Sequence, residues 1–454
     1  MAVHSRSGDG ADDPRKKRID VWLTDPTKWA TDAVDVALSA AEEFNQAHPE
    51  YHVVVTRFDF QQMPAEVARA VEQGTVPHVV EYHDAVTRVA LDTLGPDGSP
   101  LFTPIGPAIA GRTEILGEPV VLGDMMPAIR DYFGYAGEQM SLPRTASTMV
   151  LFANMDLLAR AGVAEPPRTW REVTEACQAL ARIPDGPAHG ITWPNFYWPF
   201  LQAAAQQGAL IADHDNGRSG RAERVDLAST AMLAYVDWWR GLHRDGHFRY
   251  SGEIRDFPDC FAAFENQEVA FMLSSSVDAS HMLRRGERNG FTVGVGPLPH
   301  NDEVPMAGNV LGGMSLWLAA GLDPTEQDGA LAFMQYLENP RNAAVWAREH
   351  YRIPVTRAAA DLLVREGWPP HLRVAGDQLE SADGSPAALG PLLGGHAEIM
   401  SELTTAMHDV LVGGAEPVAR FREANTRAQK ILDAYNAYCA GPPRRSPDLL
   451  VVSI

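Results

Sequence analysis

Nine consecutive residues, Thr192-Trp193-Pro194-Asn195-Phe196-Tyr197-Trp198-Pro199-Phe200, carry five aromatic rings beside turn-forming Pro and Asn. Rings that dense either fill a core, since Trp and Phe bury large areas, or offer a flat apolar face on which a sugar ring can stack. Both readings stay open at this point. His83 and Asp84 close the apolar run His78-Val79-Val80-Glu81-Tyr82. A carboxylate there can accept hydroxyl hydrogen bonds, or trade protons with a neighbouring imidazole as a general acid/base pair. Ser274-Ser275-Ser276 supplies hydroxyls but no Gly-x-Ser-x-Gly elbow, so no nucleophile is expected. Gly312-Gly313 lacks both the strand–GxGxxG–helix context and a P-loop lysine. His243 and His247 share a helical spacing, but Arg244-Asp245-Gly246 between them is turn chemistry and no third ligand is near. No metal and no cofactor is expected.

The elements that must position these groups follow from periodicity. Ile19 to Leu23 alternates as a half-buried strand, and Val34, Leu38, Ala41 and Phe44 mark an amphipathic helix that stops before His48-Pro49. Tyr51 to Thr56 reads as a strand, Pro64 to Gln73 as a helix ended by Gly74, and His78 to Tyr82 as a third strand. Strand, helix, strand, helix, strand predicts a parallel α/β sheet, with ligands bound at the carboxyl ends of its strands. A second α/β set begins at Thr148 to Ala153. It continues through helices at Trp170 to Ala181 and Leu227 to Arg244, strands at Glu268 to Leu273 and Ser315 to Ala319, and a helix at Gln327 to Leu337. Helices at Ile399 to Leu411 and Pro417 to Tyr438 close the chain.

Length and charge bound the function. The 454 residues suffice for about three domains or two large lobes. With 45% apolar and 21% charged residues the chain is globular in composition. A net charge of −21 disfavours nucleic acid and anionic membrane surfaces as partners. Cys177, Cys260 and Cys439 are far apart and read as buried small hydrophobes. No stretch reaches the ~18 apolar residues that a membrane span requires. Met1 to Arg18 is polar, without the apolar region of an export signal, which predicts a cytoplasmic protein as written.

Taken in order, several segments resemble the extracellular solute-binding proteins of ABC importers, within the sugar-binding family the glycerol-3-phosphate-binding type. They are Ala41-Glu42-Glu43-Phe44-Asn45 with His48-Pro49-Glu50-Tyr51, Leu142-Pro143 with Ser147-Thr148, Pro166-Pro167-Arg168-Thr169-Trp170, Gly246 to Gly252, Gly312 to Trp317, and Ile353-Pro354-Val355-Thr356. The resemblance implies an α/β, periplasmic-binding-protein-like fold of two discontinuous lobes that close about a hinge. It implies a flexible arm over 1–18, lobe 1 over 19–141 and 299–370, lobe 2 over 142–298 and 371–438, and a tail over 439–454. The hinge crossings would lie near Pro143 and Pro299.

Carried across residue by residue, the resemblance implies a binding site of Phe60, Asp84, Ser147, Trp193, Phe196, Ser275, Ser276, Gly313, Tyr351 and Arg352. Trp193 and Phe196 would stack on the ligand. The arginine that meets phosphate in that subgroup falls at Leu392, within Pro391-Leu392-Leu393-Gly394-Gly395. Losing its bidentate fit to phosphate oxygens favours a neutral polyol or sugar. The implied partners are a small carbohydrate-like ligand and an ABC permease, and the chain is expected to work as a monomer. The rival expectation is a cytoplasmic enzyme that reuses the fold, with Asp84 and His83 as its acid/base pair.

Overall fold

A computed structural model describes residues 15–25 and 35–441. Most of the expected N-terminal arm, Val34 of the first helix and the tail beyond 441 therefore lie outside the described residues.

The first lobe is built on a six-stranded sheet, ordered Tyr51–Phe58, Lys17–Thr24, Val79–His83, Gly312–Ala319 and Phe102–Thr103, with Leu142–Ser147 also paired to Gly312–Ala319. The first of these strands in the chain begins at Lys17, inside the stretch expected to be an arm. The three N-terminal strands are parallel, in a register that sets Val21 beside both Val55 and Val79. Their helices end as the sequence requires. The Asp35 carboxylate caps Val36–Ala47, and Met63–Gln73 stops at Gly74, whose φ of 68° suits a residue without Cβ.

The remaining strands depart from the expected parallel order. Gly312–Ala319 runs antiparallel to Val79–His83 and to Leu142–Ser147. The reason is topological. This strand enters the sheet from the other lobe, not through a crossover helix in its own, so the right-handed parallel rule does not constrain it.

The second lobe holds a five-stranded sheet, ordered Phe248–Arg249, Ile191–Thr192, Phe271–Ser275, Met149–Asn154 and Val293–Pro297. Around it pack Trp170–Leu180, entered through a Thr169–Glu172 capping box, and Thr230–Arg244. His396–Leu411 and Pro417–Ala440 lie against each other and against Thr230–Arg244.

Thr148 alone separates a strand of one sheet from a strand of the other. It is fully buried, donates its hydroxyl to the Val310 carbonyl, and gives its N–H to Ser276 Oγ. Two buried glutamines brace this crossing. Gln202 accepts from the Val310 N–H and donates to its carbonyl, and Gln378 donates to the Met149 carbonyl. Buried amides bonded on both sides fix the crossing in place.

Candidate ligand-binding site between the lobes

Asp84 opens a single helical turn at the carboxyl end of Val79–His83 and is 8% exposed. Its Oδ1 accepts the Gly313 N–H at 2.9 Å, across the sheet. Burial pushes the carboxyl up from its ordinary value, partly offset by His83, the Gly313 N–H and the Tyr132 hydroxyl. A Cβ at Gly313 would collide with the Thr145 carbonyl, so only glycine lets this strand start close enough to reach Asp84.

Aromatic and hydroxyl groups surround the carboxylate. Phe60 lies with its ring centroid 5.3 Å from His83. From the second lobe, Tyr197 and His396 meet edge to face at 5.5 Å, and the Asp84 charge reaches Tyr197. Burial, reinforced by His83, lowers His396 to about 4, so it is a neutral imidazole at pH 7. Trp198 stands at the N-terminus of Trp198–Gln206 with its indole edge on Gly312, where a Cβ would come within 2.7 Å of the ring and 3.3 Å of Ser147 Oγ. Ser147 donates to the Gly312 carbonyl at 3.1 Å. A buried acceptor, tyrosine hydroxyls and flat rings from two lobes are what a polyhydroxy ligand needs.

Five expected site residues, Phe60, His83, Asp84, Ser147 and Gly313, come together here. Ser275 ends a second-lobe strand and Ser276 opens the turn after it, where Ser276 is tied to Thr148 by N–H to carbonyl and N–H to Oγ contacts. Phe196 is half-buried against Phe257 at 5.0 Å and Tyr197 at 6.0 Å, on the second-lobe side.

Trp193 does not reach the cleft. It is fully buried, stacked on Trp238 at 12° and packed on Trp239 and Phe248 with centroids 4.9 and 4.4 Å away. The rings that stand near Asp84 and Gly312 are instead those of Tyr197 and Trp198. Tyr351 and Arg352 also sit elsewhere, around a void of about 10 Å³ that Ser276, Val150 and His371 share. Burial lowers the Arg352 guanidinium to about 10, opposed by the charges of Asp278 and Glu81. Leu392 is buried, its N–H on the Asn216 carbonyl.

The two groups of the rival expectation, His83 and Asp84, do lie side by side. His83 Nδ1 lies 3.3 Å from Asp84 Oδ1 and also 3.2 Å from the Ala85 N–H, so the backbone competes with Asp84 for the same ring nitrogen. Among the described residues no group of three or more metal-ligating side chains occurs, His243 and His247 included. Tyr132, Tyr197, Trp198 and His396 were missed. The one local signal was Tyr197-Trp198-Pro199, since a proline in the first helical turn leaves the residues before it at a helix mouth.

Comparison with known proteins agrees with this architecture. Residues 39–369 match the family model described as bacterial extracellular solute-binding protein. The sn-glycerol-3-phosphate-binding periplasmic protein UgpB of Yersinia enterocolitica is 26% identical over 411 residues, covering 87% of this chain and 89% of that one. Its counterpart from Salmonella typhimurium is 25% identical, covering 87% and 88%. Among solved structures, the sugar-binding protein MalE from Xanthomonas citri superposes with a TM-score of 0.76 at 21% identity, over 94% of this chain and 100% of that one. UgpB from Mycobacterium tuberculosis in complex with glycerophosphocholine gives 0.69 at 20%, over 92% and 99%. The expected cytoplasmic location is overturned, because the family is extracellular and these curated relatives are periplasmic. The chain belongs to the bacterial extracellular solute-binding proteins.

Proposed function

We propose that the protein captures a carbohydrate or polyol-type ligand, glycerol phosphoesters included, between its two lobes for an ABC importer, and does so as a monomer. The observation that carries this reading is the set of Asp84, Tyr132 and Phe60 on one lobe facing Tyr197, Trp198 and His396 on the other. Asp84 accepts ligand hydroxyls, Tyr197 and Ser147 supplement it, and the Trp198 face packs against the carbon skeleton. Lobe closure converts occupancy into a shape that a permease recognises. The comparisons support the solute-binding class over the rival enzyme. For the lobes we propose 17–147 with 311–370 and 149–310 with 371–438; the expected bounds at 19, 142 and 299 shift because Lys17–Thr24 and Leu142–Ser147 lie in the first-lobe sheet and Pro299, Asn301 and Asp302 bond to the second lobe.

The test is a thermal-shift screen of sugars, sugar alcohols and glycerophosphodiesters, followed by titration calorimetry. A ligand at a hundred times its dissociation constant adds ~2.7 kcal/mol of stability. Small-angle scattering with that ligand should show a smaller radius of gyration. Failure of every class to bind, or binding with no compaction, refutes the reading.

A further inference from the structure

Arg218 stands in the second lobe and is 8% exposed. Its Nε–H goes to the Gly390 carbonyl at 2.8 Å and an Nη2–H to the Leu389 carbonyl at 2.6 Å, both in its own lobe. An Nη1–H crosses to the first lobe, to the Tyr132 carbonyl at 2.8 Å, and the guanidinium lies 4.8 Å from the centre of the Tyr132 ring. With every guanidinium nitrogen on a backbone carbonyl, the fork is arranged to hold protein and not a ligand. The Arg218 carbonyl adds a second crossing, taking the Ala136 N–H at 3.0 Å in the hairpin just after Tyr132. The backbone leading to Arg218 is strained, since His214, Asp215 and Asn216 lie in the left-handed region at φ of 51, 54 and 62°. Three such non-glycine residues in a row are unfavourable and persist only where the surroundings over-determine them. Asn216 supplies that determination. Its Oδ1 accepts the Ile211 and Ala212 N–H groups, its Nδ2 donates to the Pro386 carbonyl, and its own carbonyl takes the Leu392 N–H.

Tyr132 ends the helix Pro127–Tyr132, is 2% exposed, and turns its hydroxyl toward Asp84, whose carboxyl it helps hold down against burial. The Arg218 charge acts on the same phenol and opposes the rise that burial imposes on it. A phenol facing a cation is a stronger O–H donor, and hydrogen bonds in series strengthen one another. Asp84 in turn accepts the Gly313 N–H at 2.9 Å, so one line of contacts runs from the second lobe to the acceptor of the first. We infer that Arg218 is a positioning residue of the ligand site: held to Tyr132 at its carbonyl and its ring, it keeps the Tyr132 hydroxyl on Asp84 and so fixes the acceptor for ligand hydroxyls. This rests on the proposed function and adds to it a residue that touches no ligand. A plain tie between the lobes would need only the carbonyl bonds and would leave Asp84 untouched.

Urea melts of the intact protein, with no ligand present, test the path through Arg218→Gln, Tyr132→Phe and Asp84→Asn. If Arg218 acts on Asp84 through Tyr132, the effects of Arg218→Gln and Asp84→Asn fail to add. The folded-to-unfolded ratio of the double variant should depart from the product of the singles by about 3- to 10-fold. In the Tyr132→Phe background that departure should vanish. Should Arg218→Gln not fold, Arg218→Lys, which gives up the planar fork, carries the same cycle and should depart in the same direction. Calorimetry with maltose, glycerol and glycerophosphoglycerol then reads the site itself. For each probe that wild type binds, Arg218→Gln and Tyr132→Phe should each weaken binding by about 3- to 10-fold, the range for one net hydrogen bond. The double variant should lose no more than either single. Additive effects in the melts, or coupling that survives Tyr132→Phe, overturn the positioning role and leave the proposed function standing. An affinity that Tyr132→Phe lowers and Arg218→Gln leaves unchanged overturns it likewise and makes Arg218 a tie between the lobes. Coupling in the melts with none of the three probes bound supports the path and counts against the proposed function alone.

Discussion

The two lobes also meet away from the candidate site, at Asp92. This residue ends the first-lobe helix Thr87–Asp92, with its side chain 8% exposed. Arg88, one turn earlier, holds it within the lobe at 2.5 Å. From the second lobe, Arg221 reaches both carboxylate oxygens, at 2.5 and 3.0 Å, and the Tyr435 hydroxyl donates at 3.1 Å. Arg221→Gln removes the cross-lobe pair while Arg88 keeps Asp92 neutralised, so neither lobe is left with a bare buried charge. A bidentate charge-assisted contact is worth about 1.5–3 kcal/mol. Arg221 is one-third exposed, so solvent screening brings this to about 1–2 kcal/mol. If the contact exists only in the closed form, that energy is subtracted from closure and raises the dissociation constant of every ligand by about 5- to 30-fold. Calorimetry of wild type and variant with maltose and with glycerophosphoglycerol measures the factor, and the same ratio should appear for each ligand that binds. Rising salt should erase the difference. An unchanged affinity, or a loss confined to one ligand chemistry, refutes the latch. Tyr435→Phe should act in the same direction with a smaller, ligand-independent loss.

Three further outcomes are expected. Trp193→Ala should cost about 3–5 kcal/mol in a urea melt, as for other buried aromatics, with ligand affinity of the folded fraction unchanged, whereas Trp198→Leu should lose affinity first. Asp84→Asn should weaken ligand binding at least tenfold, about 1.4 kcal/mol, and yet raise stability at pH 7. A carboxyl pushed up by burial costs the folded state above its unfolded pKa, so the gain should vanish in melts below the ordinary carboxylate range. His396, lowered by burial from 6.5 to about 4, binds its proton more weakly when folded, so stability falls as pH drops through that window. At about 1.4 kcal/mol per pKa unit this limb is worth about 3 kcal/mol, and His396→Gln should flatten it in melts between pH 7 and 4.

Which parts of this protein could be read from its sequence follows from how far away their partners lie. The first three strands and their helices were legible because caps and periodicity act within a turn or two, as with Gly74 after Met63–Gln73 and Thr169 before Trp170–Leu180. The antiparallel entry of Gly312–Ala319 was not, because its neighbours are Val79–His83 and Leu142–Ser147, brought in by the chain's return from the other lobe. The aromatic run shows the limit most sharply. Its density was visible, but Trp193 and Trp198 differ only in what meets them. Trp193 follows the short strand Ile191–Thr192 onto the Trp238–Trp239 face, while Trp198 opens a helix against Gly312. Arg352 and Arg218 are the same lesson for charge. The charges of Asp278 and Glu81 act on the first, and no spacing rule reveals it. The second follows a left-handed stretch at His214 to Asn216 and takes its carbonyl partners from residues 132, 389 and 390. A cleft between two discontinuous lobes has to be walled by chain returns, since each wall comes from segments that leave a lobe and come back. The ligand-facing residues are therefore the ones whose neighbours are most distant in sequence, and they are the last to be legible without the fold.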